Sequence, residues 1–316
     1  MAILSMIFHH YFSGYAVTID IEAHKNSDAL FILFERFAPQ FKLCVGMFAF
    51  ITGYGFHYII KHETKPILHA TLNRLNKFYF FFCFMSWLIF LLINTFPCGA
   101  QCSFPELALL LIGYKSCISD YWYISVVLMS ILLFFPVLLL GYRKGNSIHT
   151  GTCLALLILN MLVAVLNPFP IGLWHVATLI MPFFMLGYVL NWTNSEKMSA
   201  AKSATYMLIT LFFSYFGYSY KWGICILACA YFVNCKFVKT SFLGKMLAYL
   251  GTYSMCMWLN HRLIFGYWAA DYIYSIPTPF DYILVVAISL GLSIILTKAY
   301  DSIYRKTSRF FKSFMA

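Results

Sequence analysis

Long apolar runs, separated by short loops, recur along the whole chain. A helix needs about 20 mostly apolar residues to cross a hydrocarbon layer of roughly 30 Å. Runs of that kind, closely spaced, predict a polytopic membrane bundle and exclude an ordinary soluble domain. Composition decides the same point: 62% of residues are hydrophobic and 10% charged, with a mean hydropathy of +0.77. Soluble domains carry roughly a quarter charged residues. A soluble core cannot hide this much apolar surface in 316 residues; lipid can.

The hydropathy pattern predicts an all-α bundle of about ten transmembrane helices, near residues 1–19, 41–60, 78–96, 121–140, 152–166, 173–190, 204–218, 222–235, 246–268 and 282–298. Short loops argue for one unit over residues 1–300, followed by a basic cytoplasmic tail over 301–316. With the N-terminus inside, 16 of the 22 Lys and Arg residues fall on the inner side and 6 on the outer. Cytoplasmic loops collect Lys and Arg, so both termini of a multi-pass membrane protein are expected in the cytoplasm. No cleavable signal peptide is expected, since no basic region precedes the first apolar run. The tail, with Arg305, Lys306, Arg309 and Lys312 among Phe310 and Phe311, reads either as a stretch along the anionic inner leaflet or as a solvated end.

The net charge of +11 is no sign of nucleic acid, because the basic residues sit in short loops where they orient the bundle. Most of the 10 cysteines fall inside apolar runs and read as small packing residues. Cys98 and Cys102 share one outward loop, where a disulfide is permitted but not required. No His, Asp or Glu cluster has metal-ligand spacing, so no metal is expected. There is also no glycine-rich phosphate loop, so nucleotide hydrolysis has no support.

Ionisable side chains within a span are costly and are functional candidates by default. His9 and His10 lie about halfway along the first predicted span. An imidazole is suited to accepting a proton near neutrality. Adjacent helical residues point about 100° apart, so one of the two can face the bundle interior while the other packs elsewhere. The competing reading is a pair of polar residues hydrogen-bonding to neighbouring helices. His261 and Arg262 form a second polar pair near the ninth span.

Five segments, taken in order, resemble the acyltransferase 3 family of bacterial membrane acyltransferases. They are residues 2–12 (AILSMIFHHYF), 44–56 (CVGMFAFITGYGF), 72–79 (LNRLNKFY), 121–125 (YWYIS, with Phe135 and Pro136 beyond) and 250–261 (LGTYSMCMWLNH). The resemblance implies a ten-helix enzyme that takes an acyl group, usually acetyl, from cytoplasmic acyl-CoA. It delivers that group to a hydroxyl of a cell-envelope glycan or lipid-linked sugar. The family's first-span signature is an arginine upstream of a histidine; the histidine maps to His10, and the arginine position falls ahead of Met1. His10 would be the general base, with His9 beside it as the second catalytic candidate.

Arg74 and Lys77 fall where the family carries its basic motif, so they are expected to bind the phosphates of acetyl-CoA. Topology signalling is the other reading of both. Trp122, Tyr123, Ser125 and His261 are expected to line the acceptor pocket. Aromatics at that depth also serve as interface anchors, and His261 equally suits an interhelical hydrogen bond. Thr52, Gly53 and Gly55 form a small-residue patch expected to let helices approach closely and to seat the first span. Two alternatives remain at this point: a secondary transporter using His10 and His261 as a proton relay, and a catalytically inactive family member acting as a scaffold.

Overall fold

The computed structural model describes residues 2–13, 28–62, 67–95, 102–111, 158, 183–185, 187 and 241–315. Among these the chain is helical, with no strand. In chain order the helices are α1 (Ala2–Phe12), α2 (Ala29–Phe37) with a 3-10 turn over Ala38–Leu43, and α3 (Cys44–His62). Next come α4 (Ile67–Thr95), α5 (Phe104–Leu111) and α6 (Phe242–Leu263), which ends in a π turn over Ile264–Trp268. Last are α7 (Ala270–Tyr274) and α8 (Phe280–Met315). The spans expected over residues 121–140, 204–218 and 222–235 lie outside the described residues, as does nearly all of 152–166 and of 173–190.

Among the described residues two helices are long and apolar enough to cross a membrane: Leu75–Thr95 within α4 and Phe280–Thr307 within α8. Both extend past the stretches expected from hydropathy. At 1.5 Å per residue α8 is roughly 54 Å long, well beyond the hydrocarbon layer. No Gly or Pro follows Gly291 in α8, so nothing stops the helix where apolar residues give way to Arg305 and Lys306. Residues 301–315, expected as a separate tail, are thus the end of this helix. The loop expected around Arg74 and Lys77 is likewise the opening of α4. Leu, Arg, Lys and Asn there hold helical geometry without needing lipid around them.

The capping chemistry is local and legible. Asp28 caps α2, its Oδ1 accepting from the backbone N–H groups of Leu30 (3.0 Å) and Phe31 (3.1 Å). Ser103 and Glu106 form a capping box at α5: the Ser103 N–H donates to Glu106 Oε2 at 2.9 Å and the Glu106 N–H to Ser103 Oγ at 3.4 Å. Ser241 caps α6 through the Gly244 N–H at 3.0 Å. Cys102 is buried, with its thiol directed at the Ser103 carbonyl; Cys98 lies outside the described residues.

The core gathers around α1. Its buried Ile3, Met6, Ile7, Tyr11 and Phe12 join buried residues of α4, α6 and α8 in one apolar cluster. A polar seam then locks α6 to α8. Asn260 Nδ2 donates to Ser293 Oγ at 2.9 Å and to the Ser289 carbonyl at 3.3 Å. Its Oδ1 accepts from Ser289 Oγ at 2.6 Å, and Ser293 Oγ donates to the Ser289 carbonyl at 2.7 Å. The side-chain polar groups of all three residues in this seam are hydrogen-bonded, which an apolar surround requires. Cys256 faces Ser293 and Thr297, so the two helices run antiparallel.

That arrangement sorts charge along the bundle. Tyr300 Oη donates to the Lys77 carbonyl at 2.9 Å, and its ring meets Phe81 at 4.9 Å. The opening of α4 and the last third of α8 therefore share one end, with Lys77, Lys298, Arg305 and Lys306; antiparallel α6 begins there with Lys245. Asp28, Asp271 and Asp281 occupy the opposite end, together with Arg262.

α3 is closely approached at Gly187, which meets it at Phe50 and Tyr54 rather than at the Thr52, Gly53 and Gly55 patch expected to seat the first span. A Cβ on Gly187 would overlap the Phe50 carbonyl oxygen and come to 3.0 Å from the Tyr54 amide. Backbone, not a flexible side chain, is what it meets. Gly187→Ala is expected to destabilise the protein by about 1–3 kcal/mol through overpacking, read as a lowered thermal midpoint of the detergent-solubilised chain. Gly251→Ala, in the interior of α6 where a Cβ meets nothing within 4 Å, does not lower that midpoint.

Candidate active site

The last turn of α1 carries three consecutive polar side chains, His9, His10 and Tyr11, and each is anchored to a different element. His9 is buried, and its Nδ1 lies 2.9 Å from the Ala38 carbonyl oxygen in the 3-10 turn. A carbonyl only accepts, so His9 donates there and braces α1 against the segment that leads into α3. Tyr11 Oη donates to Asp281 Oδ2 at 2.8 Å. His10 points to α6, where its Nδ1 meets His261 Nε2 at 2.8 Å with the two ring planes within 13°.

The tautomers of the His10–His261 pair follow from what lies behind it. His261 Nδ1 faces the Trp258 carbonyl at 2.7 Å and the Met257 carbonyl at 3.2 Å. Both are acceptors, so Nδ1 must carry the hydrogen, and a neutral His261 presents a lone pair at Nε2. His10 then donates from Nδ1, which leaves the lone pair of His10 on Nε2. The helix carbonyls of α6 thus dictate, through His261, which nitrogen of His10 is basic. A proton taken up at His10 Nε2 leaves an imidazolium whose Nδ1–H already points at a second imidazole acceptor. His261 is completely buried and His10 half-buried, so the acidic hydrogen is held between two rings rather than in water.

Asp281 fixes the other side of α1. It opens α8, is completely buried, and accepts from Tyr11 Oη, from Thr278 Oγ1 at 3.1 Å and from the Tyr282 N–H at 2.6 Å. Charge-assisted bonds of this kind are what let a carboxylate stay buried. Tyr282 Oη donates to the Leu4 carbonyl at 2.9 Å, so α8 grips α1 at two levels. Asp28 adds a third tie, its Oδ2 accepting from the Thr278 N–H at 3.1 Å. Tyr274 stacks on Tyr11 with ring centroids 5.0 Å apart. Burial, and then the nearby Asp281 charge, hold the Tyr274 hydroxyl well above the ordinary phenol range, so it remains a donor, 3.4 Å from the Tyr11 carbonyl.

Of the residues singled out in the sequence, then, the fold joins His10 to His261 and turns His9 away into a backbone contact. Lys77 is exposed at the basic end of the bundle, and Arg74 lies on α4 one turn before it, with its side chain outside the described set. Trp122, Tyr123 and Ser125 lie outside the described residues. Sequence reasoning missed Tyr11, Asp281 and Thr278. Asp281 looks like an ordinary loop acid after two prolines, and only its position just ahead of an apolar run hinted that it could be buried. Among the described residues no group of three or more His, Cys, Asp or Glu is placed to hold a metal ion.

Comparison with known proteins adds one strong match. A family model described as an acyltransferase domain, acyltransferase 3, matches residues 1–298. No curated protein and no solved structure matches the chain.

Tyr11→Phe removes one donor from a buried carboxylate while keeping the ring. It is expected to cost about 1–3 kcal/mol of stability, measured as a shift in thermal unfolding of the purified chain. An unchanged midpoint would show that Tyr11 does not help to hold the Asp281 carboxylate.

Proposed function

The chain belongs to the acyltransferase 3 family, and from that premise we propose that it moves an acetyl group from cytoplasmic acetyl-CoA to a hydroxyl of a cell-envelope glycan or lipid-linked sugar. The supporting observation is the 2.8 Å contact between His10 and His261. It joins the histidine that aligns with the family's first-span motif to a second histidine 251 positions away. Acyl transfer between a donor and an acceptor is what membership implies; the acetyl group, the coenzyme and the sugar are our reading.

A sugar hydroxyl is a weak nucleophile until a base takes its proton, an assistance worth typically 10²–10⁴-fold. In the proposed step the acceptor oxygen attacks the thioester carbonyl while His10 Nε2 takes the hydroxyl proton. The tetrahedral intermediate collapses with cleavage of the C–S bond, and the proton passes to the departing sulfur. His261 does not touch the substrate: it orients His10 and shares the transient charge. His9, held by the Ala38 carbonyl, positions α1.

The charge sorting along the bundle supports the direction of supply. Ser289, at the level of the histidine pair, and Tyr300, at the basic end, are eleven residues apart on one helix, or roughly 17 Å at 1.5 Å per residue. A donor whose phosphates rest on Arg74, Lys77 and their basic neighbours needs a thin extended arm to reach the pair. The pantetheine arm of a coenzyme A thioester has that form. The basic end is taken as cytoplasmic, within a ten-span inner-membrane bundle with both termini inside. Phe80, Trp87 and Leu91, exposed at 56%, 41% and 54% along α4, suit a lipid-facing stripe.

The test is to supply membrane vesicles holding the full-length protein with radiolabelled acetyl-CoA and an envelope glycan extract. Label is expected in the glycan with the wild-type chain, falling by about 10²–10⁴ in rate with His10→Ala at equal protein level. Equal labelling by the two would remove His10 from the chemistry.

A further inference from the structure

Ser13 follows α1 directly, and its N–H still donates to the His9 carbonyl at 3.0 Å, continuing the helical pattern by one residue. Its hydroxyl oxygen is enclosed and has no hydrogen-bond partner among the described residues. That is unusual for a serine at this place. A hydroxyl on a helix commonly turns back to a carbonyl of the preceding turn, as Thr52 does to Phe48 at 2.7 Å and Thr252 to Ala248 at 3.2 Å. A buried polar group left unsatisfied is a standing cost, and each such case asks for an explanation.

Position supplies one. With 100° per residue, Ser13 projects between the directions of His9 and His10, one turn further along α1. Helical side chains lean back toward the N-terminus and cover the turn before their own Cα, which for Ser13 is the turn bearing the two histidines. Ser86, the other enclosed hydroxyl without a partner among the described residues, lies in mid-α4, flanked at helical spacing by buried Phe82, Met85 and Ile89, on a helix that carries neither His10 nor His261.

We propose that the Ser13 hydroxyl is a catalytic hydrogen-bond donor that receives the acyl carbonyl oxygen of the donor, and so stabilises the oxyanion formed when the acceptor attacks. This rests on the acyl-transfer reading above. The hydroxyl keeps its own proton and forms no covalent bond to the acyl group. Because it makes no hydrogen bond to either histidine, it is not activated as a nucleophile. Its bond is made when the substrate arrives and strengthens as negative charge develops on oxygen, which is the condition for raising kcat rather than lowering KM.

The test compares wild type, Ser13→Ala and Ser13→Thr as full-length protein in membranes, with labelled acetyl-CoA and a saturating acceptor, alongside thermal unfolding in detergent. Ser13→Ala is expected to lose about 10²–10³ in kcat, with KM for the donor within a few-fold of wild type and a thermal midpoint no lower. Ser13→Thr, which keeps a hydroxyl, should recover a large part of the rate. Full activity of Ser13→Ala, a loss confined to KM, equal losses for both variants, or a loss that tracks a lowered midpoint would each overturn the assignment while leaving the transferase intact. Absence of transfer by the wild-type chain would instead remove the transferase reading, and the role of Ser13 with it.

Discussion

Two neutral imidazoles 2.8 Å apart must divide their roles, because one has to give a hydrogen and the other to receive it. In this chain the division is imposed by the backbone. The carbonyls of Trp258 and Met257 claim the Nδ1 hydrogen of His261, His261 accepts from His10, and His10 is left basic at Nε2. Everything proposed for the chemistry follows from that order. Were His261 Nδ1 facing a donor, the pair would reverse and His10 would offer a hydrogen where a base is needed.

Keeping the two rings in register is the task of the surrounding polar contacts. In an apolar bundle a misplaced helix leaves polar groups unsatisfied, so a few well-made bonds fix orientation more firmly than their number suggests. His9 to the Ala38 carbonyl, Tyr11 to Asp281 and Tyr282 to the Leu4 carbonyl hold α1 at three points, one from the 3-10 turn and two from α8. The Asn260–Ser289–Ser293 seam holds α6 against α8 immediately beside His261. The π turn that follows α6, with the Ala269 N–H bonded to the Ile264 carbonyl at 2.9 Å, lets the chain leave the helix just past the histidine; such turns recur near functional sites.

Much of this was readable in advance, and the rest was hidden for identifiable reasons. Apolar run length pointed to helices over residues 78–96 and 282–298; the structure has longer helices there, Ile67–Thr95 and Phe280–Met315, since hydropathy marks where lipid begins rather than where a helix ends. His10 was legible because an imidazole inside an apolar run needs a reason. His261 stood beside it only as a relay partner in the transporter alternative or as one end of an interhelical hydrogen bond, because nothing in a sequence says how closely a fold will bring two histidines together. His9 shows the converse: two adjacent histidines carry the same pattern signal, and only the backbone carbonyl of Ala38 separates brace from base. Asp281 was hidden by its neighbours, since an acid between a proline turn and an apolar run resembles a solvated loop. α2 was missed because nine residues are too few to register as a span, although Asp28 ahead of Ala29 and Leu30 is a recognisable cap.

The most direct measurement is a double-mutant cycle on the rate of acyl transfer, comparing His10→Ala, His261→Ala and the double variant at matched protein levels. If His261 acts only by setting the basic nitrogen of His10, its removal costs nothing once His10 is gone, and the double variant runs at the rate of His10→Ala alone. Losses that multiply, each histidine contributing its full factor in the absence of the other, would contradict a single proton-accepting unit shared between the two ends of the chain.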